Sequence, residues 1–191
     1  MLHNPDFPDH ITQQDFTEDT RNVIDHYRYW TTEDIRSDLA MSALPIDIVA
    51  ENFAHDFNIA TLVRNANGFN VKGVHIVGRR QWDKRGSVGT HLYTPIHRHS
   101  QAEEYYQSLH EAGNPIIVMD NIEGAELLPP FVWPEGPISI VFGQESIGVS
   151  NLVLGYATHV VEIPQRGSVR SLNVGTSSGI VLYDYLTKMV H

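Results

Sequence analysis

The residues best placed to do chemistry lie late in the chain. There, Arg166 and Arg170 precede a polar turn, Ser171-Leu172-Asn173, and a long small-residue-rich segment follows. A polar turn opening a helix presents unpaired backbone N–H groups that can hold a ligand. The turn lacks both the dinucleotide glycine pattern and the P-loop lysine, so it points to a different small-molecule site. Two more polar clusters have similar character. One runs from Asn52 to Arg64, and the other is Gly143-Gln144-Glu145-Ser146-Ile147-Gly148.

The elements that position these clusters alternate. Short β-branched runs at Ile46 to Val49, Gly73 to Val77, Pro115 to Met119, Ile138 to Phe142 and Val160 to Ile163 read as strands. Helical patterns lie between and after them, at Ile59 to Ala66, Ala102 to Ala112 (ending at Gly113), a short helix capped by Ser150, and Leu172 to Val190. Pro129, Pro130 and Pro134 make the stretch before Ile138 a loop. This alternation predicts an α/β fold with a mostly parallel sheet flanked by helices. All three clusters fall after strands, where open α/β sheets place their ligands. Residues 1–44 are polar and acidic. Helical spacing at Phe16, Val23, Tyr27 and Trp30, then an N-cap at Thr31, predicts a helical extension ahead of a domain at 45–191.

A chain of 191 residues can bury one substantial core. Without cysteine it has no disulfide, thiolate metal site or cysteine nucleophile. Neither a signal segment nor a ~20-residue apolar run is present, so a cytoplasmic location is expected, with no membrane contact. The net charge of −10 argues against nucleic acid, but its distribution does not. Residues 64–98 carry Arg64, Lys72, Arg79, Arg80, Lys84, Arg85 and Arg98 against the single acid Asp83. Phosphate contact needs a local basic face rather than a basic protein. Solvated surface charge explains the same clustering equally well.

Taken in order, the three clusters resemble the SpoU group of the SPOUT superfamily, RNA 2′-O-ribose methyltransferases. The first motif is Asn58-Ile59-Ala60-Thr61-Leu62-Val63-Arg64, with Asn67-Gly68-Phe69-Asn70-Val71 behind it. The second is Gly143 through Ser150, and the third is Ile163-Pro164 with Ser171-Leu172-Asn173-Val174. The stretch from Arg79 to Thr90 is most similar to the TrmH-type branch. Asn65 and Asn67 depart from the family pattern, which usually has Thr and Asp there. The resemblance implies a C-terminal trefoil knot, S-adenosylmethionine (SAM) as methyl donor, a homodimer, and RNA as substrate, tRNA ahead of rRNA, with no DNA. The alternative is a SpoU-like module that holds RNA or SAM without transferring a methyl group.

Carried onto this chain, the resemblance implies that backbone around Gly143, Ile163 and Leu172 holds the cofactor, with Asp120 at the pocket edge. Arg64 is the implied catalytic residue. A guanidinium with a pKa above ~12 is a poor base, so phosphate binding and stabilisation of alkoxide charge suit it better. Asn58, Asn173, Glu145 and Ser171 are implied to orient Arg64 or the substrate. Helix capping and the helix dipole explain the same four residues structurally. Arg79, Arg80, Lys84, Arg85, Arg166 and Arg170 are candidates for RNA backbone contacts. Trp82 or Tyr93 could stack a base, although a core role is commoner for such aromatics. His97 and His99 have a ligand-like spacing, but nearby carboxylates and cysteines are missing and no metal is expected.

Overall fold

A computed structural model describes residues 18–52, 58–78, 81–144 and 147–190. Twelve elements follow in order: α1 (Thr32–Met41), β1 (Leu44–Asn52), α2 (Ile59–Gly68), β2 (Val71–Gly78), β3 (Ile96–His99), α3 (Ala102–Glu111), β4 (Ile116–Met119), β5 (Glu126–Leu127), β6 (Ile138–Phe142), α4 (Asn151–Tyr156), β7 (His159–Glu162) and α5 (Val174–Met189). The strands form one sheet in the order β3-β2-β1-β6-β4-β7-β5. Every neighbouring pair is parallel.

Alternation along the strands divides the core between two faces. Ile46, Ile48 and Ala50 of β1 pack with Leu62, Val63 and Ala66 of α2 and with Val181, Leu182 and Tyr185 of α5. Val49, one residue along, faces the opposite way with Val118 and Val141, under Tyr105 and Tyr106 of α3 and Val153 of α4. Buried on both faces, β1 reads as a near-continuous apolar run, as central parallel strands do. The proline-rich stretch is a loop, as its sequence predicts, yet it buries Leu128, Phe131 and Trp133 in the first core. Lys188 of α5 donates to the carbonyls of Leu128 and Phe131, at 2.9 and 3.1 Å, and pins that loop.

The structure departs from the sequence reading in three places. Strands β3 and β5 were not expected, because four and two residues leave no room for a strand pattern. Helix α5 begins at Val174 rather than Leu172, because Asn173 caps it by accepting from the Thr176 N–H at 3.2 Å. The first N-terminal helix reduces, among the described residues, to a single 3-10 turn at Asp25–Tyr27. Tyr29 sits at φ 67°, a left-handed conformation that stops any helix there. Phe16 lies outside the described residues. The second N-terminal helix forms as expected, with Thr31 capping α1.

A buried carboxylate holds the N-terminal segment in its folded-back path. Asp19 accepts from the Arg21 guanidinium at 2.9 and 2.6 Å and from the Tyr29 N–H at 2.8 Å, and Arg21 also donates to the Trp30 carbonyl. Trp30 and Ile35 then pack on Tyr93 and join this segment to the rest of the fold. No helix of the described residues is long and apolar enough to cross a membrane.

The Arg21 guanidinium drives the Asp19 carboxyl far below the usual carboxylate range. A depressed carboxylate contributes stability that is complete above its unfolded pKa of ~3.9 and is lost as pH falls below it. Asp19→Asn should therefore cost about 2 kcal/mol at pH 7. In urea titrations the gap between variant and parent should close steadily from pH 4 downwards. A gap independent of pH would contradict this account.

Candidate active site

The C-terminal ends of three adjacent strands, β6, β4 and β7, open into a cleft of about 330 Å³. Each strand contributes the loop that follows it. Asp120 and Asn121 come from the first of these loops in the chain, Gly143 and Gln144 from the second, and Ile163 to Leu172 from the third. Met119, Phe142, Ile163 and Leu172 supply apolar walls, while Asp120 and Glu162 bring carboxylates.

The second loop is wound very tightly. Gln144 and Gly148 exchange two backbone hydrogen bonds, of 2.9 and 2.8 Å. A Cβ at Gly143 would stand 2.3 Å from the Gly148 carbonyl carbon and 2.4 Å from the Val149 nitrogen, so only glycine fits. Asp120 steadies the loop from the neighbouring strand by accepting from the Val149 N–H at 3.2 Å. From the other side Glu51, 1 % exposed at the end of β1, accepts from the Ser150 N–H at 2.7 Å and the Ser150 hydroxyl at 2.6 Å. Glu51 also accepts from the Tyr106 hydroxyl at 3.0 Å. Burial first, and the Glu51 charge second, push the Tyr106 phenol far up, so it remains a donor.

The third loop is tied down at its C-terminal end. Asn121 donates through its amide to the Arg170 carbonyl. Asn173 donates to the Asn58 Oδ1 at 2.9 Å while its own Oδ1 caps α5, so capping and cross-linking coexist in one side chain. Asn58 stands at the start of α2 and makes no side-chain cap. Asn65, the departure from the family pattern, donates to the Gly175 carbonyl at 2.7 Å and the Ser178 hydroxyl at 2.8 Å. A Cβ at Gly175 would come within 2.5 Å of Thr61 Cγ2, so the α5 backbone packs directly on the Thr61 side chain of α2.

The fold therefore brings Asp120, Gly143, Ile163, Arg170, Ser171 and Leu172 to one cleft, with the Asn58–Asn173 pair behind its rim. Arg64 does not join them. It lies on α2, six residues or about 9 Å beyond Asn58, and lines a second cleft against the N-terminal segment. Arg166, Lys84 and Arg85 are exposed. Arg85 is already bound to Asp83 at 2.5 Å, and that contact lowers the Asp83 carboxyl to about 2. Glu145, Arg79 and Arg80 lie outside the described residues.

Trp82 packs against the first core, and Tyr93 is buried against Trp30 and Ile35. His97 and His99 stand beside His75, whose Nδ1 lies 2.9 Å from the His99 Nε2 and whose Nε2 lies 3.4 Å from Asp47. Burial lowers His99 to about 4, which keeps it neutral. Among the described residues no group of three or more such side chains could hold a metal.

The sequence reading missed Glu51, Asn121 and Asn65. A signal existed for Glu51, a lone carboxylate inside the apolar run of a central strand, where burial demands a partner. Glu51→Gln turns one acceptor into a donor facing the donors of Ser150 and Tyr106. Chemical denaturation should show a loss of about 2 kcal/mol. An unchanged midpoint would remove Glu51 from its role as anchor.

With this geometry in view, the chain's likeness to known proteins falls into one group. The model of the SpoU rRNA Methylase family matches residues 45–183. A Mycolicibacterium vanbaalenii protein named as an uncharacterised tRNA/rRNA methyltransferase is 30% identical over 172 residues, covering 82% of this chain and 51% of its own. The chain thus spans about half the length of the curated relatives it matches. Among solved structures, the TrmH/SpoU tRNA modifying enzyme of A. aeolicus superposes with a TM-score of 0.72 at 20% identity, over 82% of this chain and 81% of that one. The AdoMet-bound rRNA methyltransferase of Sinorhizobium meliloti gives 0.67 at 20% identity, over 82% and 61%. The family match over residues 45–183, most of the chain, leads to one conclusion: the chain belongs to the SpoU rRNA methylase family.

Proposed function

We propose that this chain is a SAM-dependent RNA ribose 2′-O-methyltransferase that acts on tRNA as a homodimer. Residues 45–191 form the transferase domain and residues 1–44 an appendage to it. The cleft at the ends of β4, β6 and β7 carries this reading. Its size falls in the usual range for small-ligand sites, and its apolar walls with backbone-rich loops suit a purine nucleoside. The Asp120 and Glu162 carboxylates are compatible with a cationic sulfonium. When bound, SAM supplies an electrophilic methyl group and needs no metal. The loop from Gly143 to Gly148 and the Ile163–Leu172 segment hold the adenosine portion, and Asp120 keeps the first of these in shape.

The remaining chemistry is to place a ribose hydroxyl in line and stabilise its charge as the proton leaves. Arg64 does this by binding the adjacent phosphate and the developing alkoxide. An RNA phosphate or water takes the proton. Without cysteine the chain has no thiolate for the covalent route to pyrimidine C5 methylation. Within one chain Arg64 and the cofactor cleft are apart, and a second copy brings them together. The outward stripe of α5, with Ile180 38 % and Tyr183 62 % exposed, supports such pairing. A knotted ending is also part of this reading. The chain leaves β7, then packs α5 on α2, the helix joining β1 to β2, two strands that lie beyond β4 and β6 in the sheet order. The likeness of the stretch from Arg79 to Thr90 to the TrmH-type branch, which includes tRNA-modifying enzymes, supports tRNA over rRNA.

Methyl transfer from labelled SAM to separated tRNA and rRNA tests the reaction and its substrate together. Label should appear in tRNA as a 2′-O-methyl nucleoside. Arg64→Ala should lower kcat at least ~100-fold while leaving SAM affinity intact. Label on a base, or full activity in the variant, would overturn the mechanism. Gly143→Ala should abolish SAM binding in calorimetry, because its Cβ cannot fit without unwinding the loop. Unchanged affinity would place the cofactor elsewhere.

A further inference from the structure

The cleft that Arg64 lines is separate from the cofactor cleft and has no role so far. It measures about 470 Å³ and lies between the N-terminal segment and α2. One wall is apolar and comes from Val23, Ile24, Tyr27 and Leu39. The opposite rim is polar, with Asn67, Thr90 and Arg64, and Asn22 completes it from the N-terminal side.

Three features define what fits there. The first is a fixed aromatic wall. Tyr27 is clamped edge-on to Trp30 with ring centres 5.3 Å apart, and its hydroxyl donates to Asp38 at 2.7 Å. A ring held this way can accept a planar group at little entropic cost. The second is unspent polar capacity. Among the described residues the Asn22 and Asn67 amides and the Arg64 guanidinium have no side-chain partner. An amide offers both donors and acceptors, which matches the edge of a nucleobase. The third is charge. Of the acids near the apolar wall, Asp19 is paired with Arg21 at 2.6 Å and Asp25 with Arg28 at 2.8 Å, and Asp38 is occupied by the Tyr27 hydroxyl. Arg64 is thus left as one cation at the mouth, enough for one phosphate and too little for a run of them.

We infer that this cleft is a nucleobase subsite. It takes the base of a nucleotide neighbouring the one that is methylated, and Arg64 holds the phosphate between the two. The inference rests on Arg64 serving the transfer reaction proposed above, and it narrows the substrate. A base can enter only if it is unstacked, so the RNA is recognised at a single-stranded loop rather than within a helix. The acidic N-terminal segment then contributes to recognition through a base edge and an apolar wall, not through phosphates.

The test uses the full chain and the four ribonucleoside 5′-monophosphates as probes, followed by side-chain amide NMR. At least one probe should shift the Asn22 and Asn67 amide signals. Ile24→Glu, at a position 65 % exposed and so harmless to folding, should remove those shifts and raise the KM for RNA at least tenfold. SAM affinity and melting temperature should not move. Asn67→Ala should change which of the four probes binds best. Shifts confined to residues around Gly143 and Leu172, or none at all, would overturn the subsite, as would an unchanged RNA KM in Ile24→Glu. The two readings fail separately. Wild-type protein that binds a mononucleotide at Asn22 and Asn67 yet methylates no RNA sinks the transferase reading and keeps the subsite. Active enzyme indifferent to Ile24→Glu does the reverse.

Discussion

The close approach of α5 to α2 is the contact on which the cleft depends. Gly175 leaves no space for a methyl group against Thr61, so the two helices meet backbone to side chain. Only at that separation can Asn65 reach the Gly175 carbonyl and Asn173 reach Asn58. Those hydrogen bonds fix where α5 begins, and the start of α5 fixes where the segment from Ile163 to Leu172 must close over the strand ends. A larger residue at 175 would propagate outward through all of these, because packed helices shift as units.

A second constraint is electrostatic. The middle of the sheet holds two carboxylates, Asp47 and Glu51, on the same strand. Each is made tolerable differently. Asp47 sits beside His75 and Lys72 of the neighbouring strand β2. Glu51 is satisfied by hydroxyl and backbone N–H donors alone, so it joins β1, α3 and the loop ahead of α4 without a counter-charge. A buried carboxylate with three donors is costly to disturb. That cost gives the glycine-tight loop beside it a rigid support.

Much of this architecture was legible because the central strands are buried on both faces and so announce themselves as apolar runs. β6, from Ile138 to Phe142, emerged with its bounds intact. The ends of α3 and the capping of α1 and α4 followed from Gly113, Thr31 and Ser150. What stayed hidden was long-range. Nothing local distinguishes Asn65 as a partner of a helix 110 residues away, or Asn121 as a clamp on Arg170. The folded-back path from Asp19 to Trp30 was read as helix, because apolar spacing is blind to a carboxylate that gathers backbone N–H groups. Local pattern located the cleft-forming loops, whereas only the fold shows that Arg64 belongs to a different cleft.

The two margins of the sheet carry a consequence of their own. One is β3, four residues of His and Arg with a single isoleucine, and the other is β5, only Glu126 and Leu127. Short, polar borders of this kind are poor templates for another chain's backbone. Fibril-like stacking and strand exchange are therefore disfavoured on both sides. Growth of the sheet is disfavoured at both borders, and among the described elements the helix faces are the surfaces better suited to self-association.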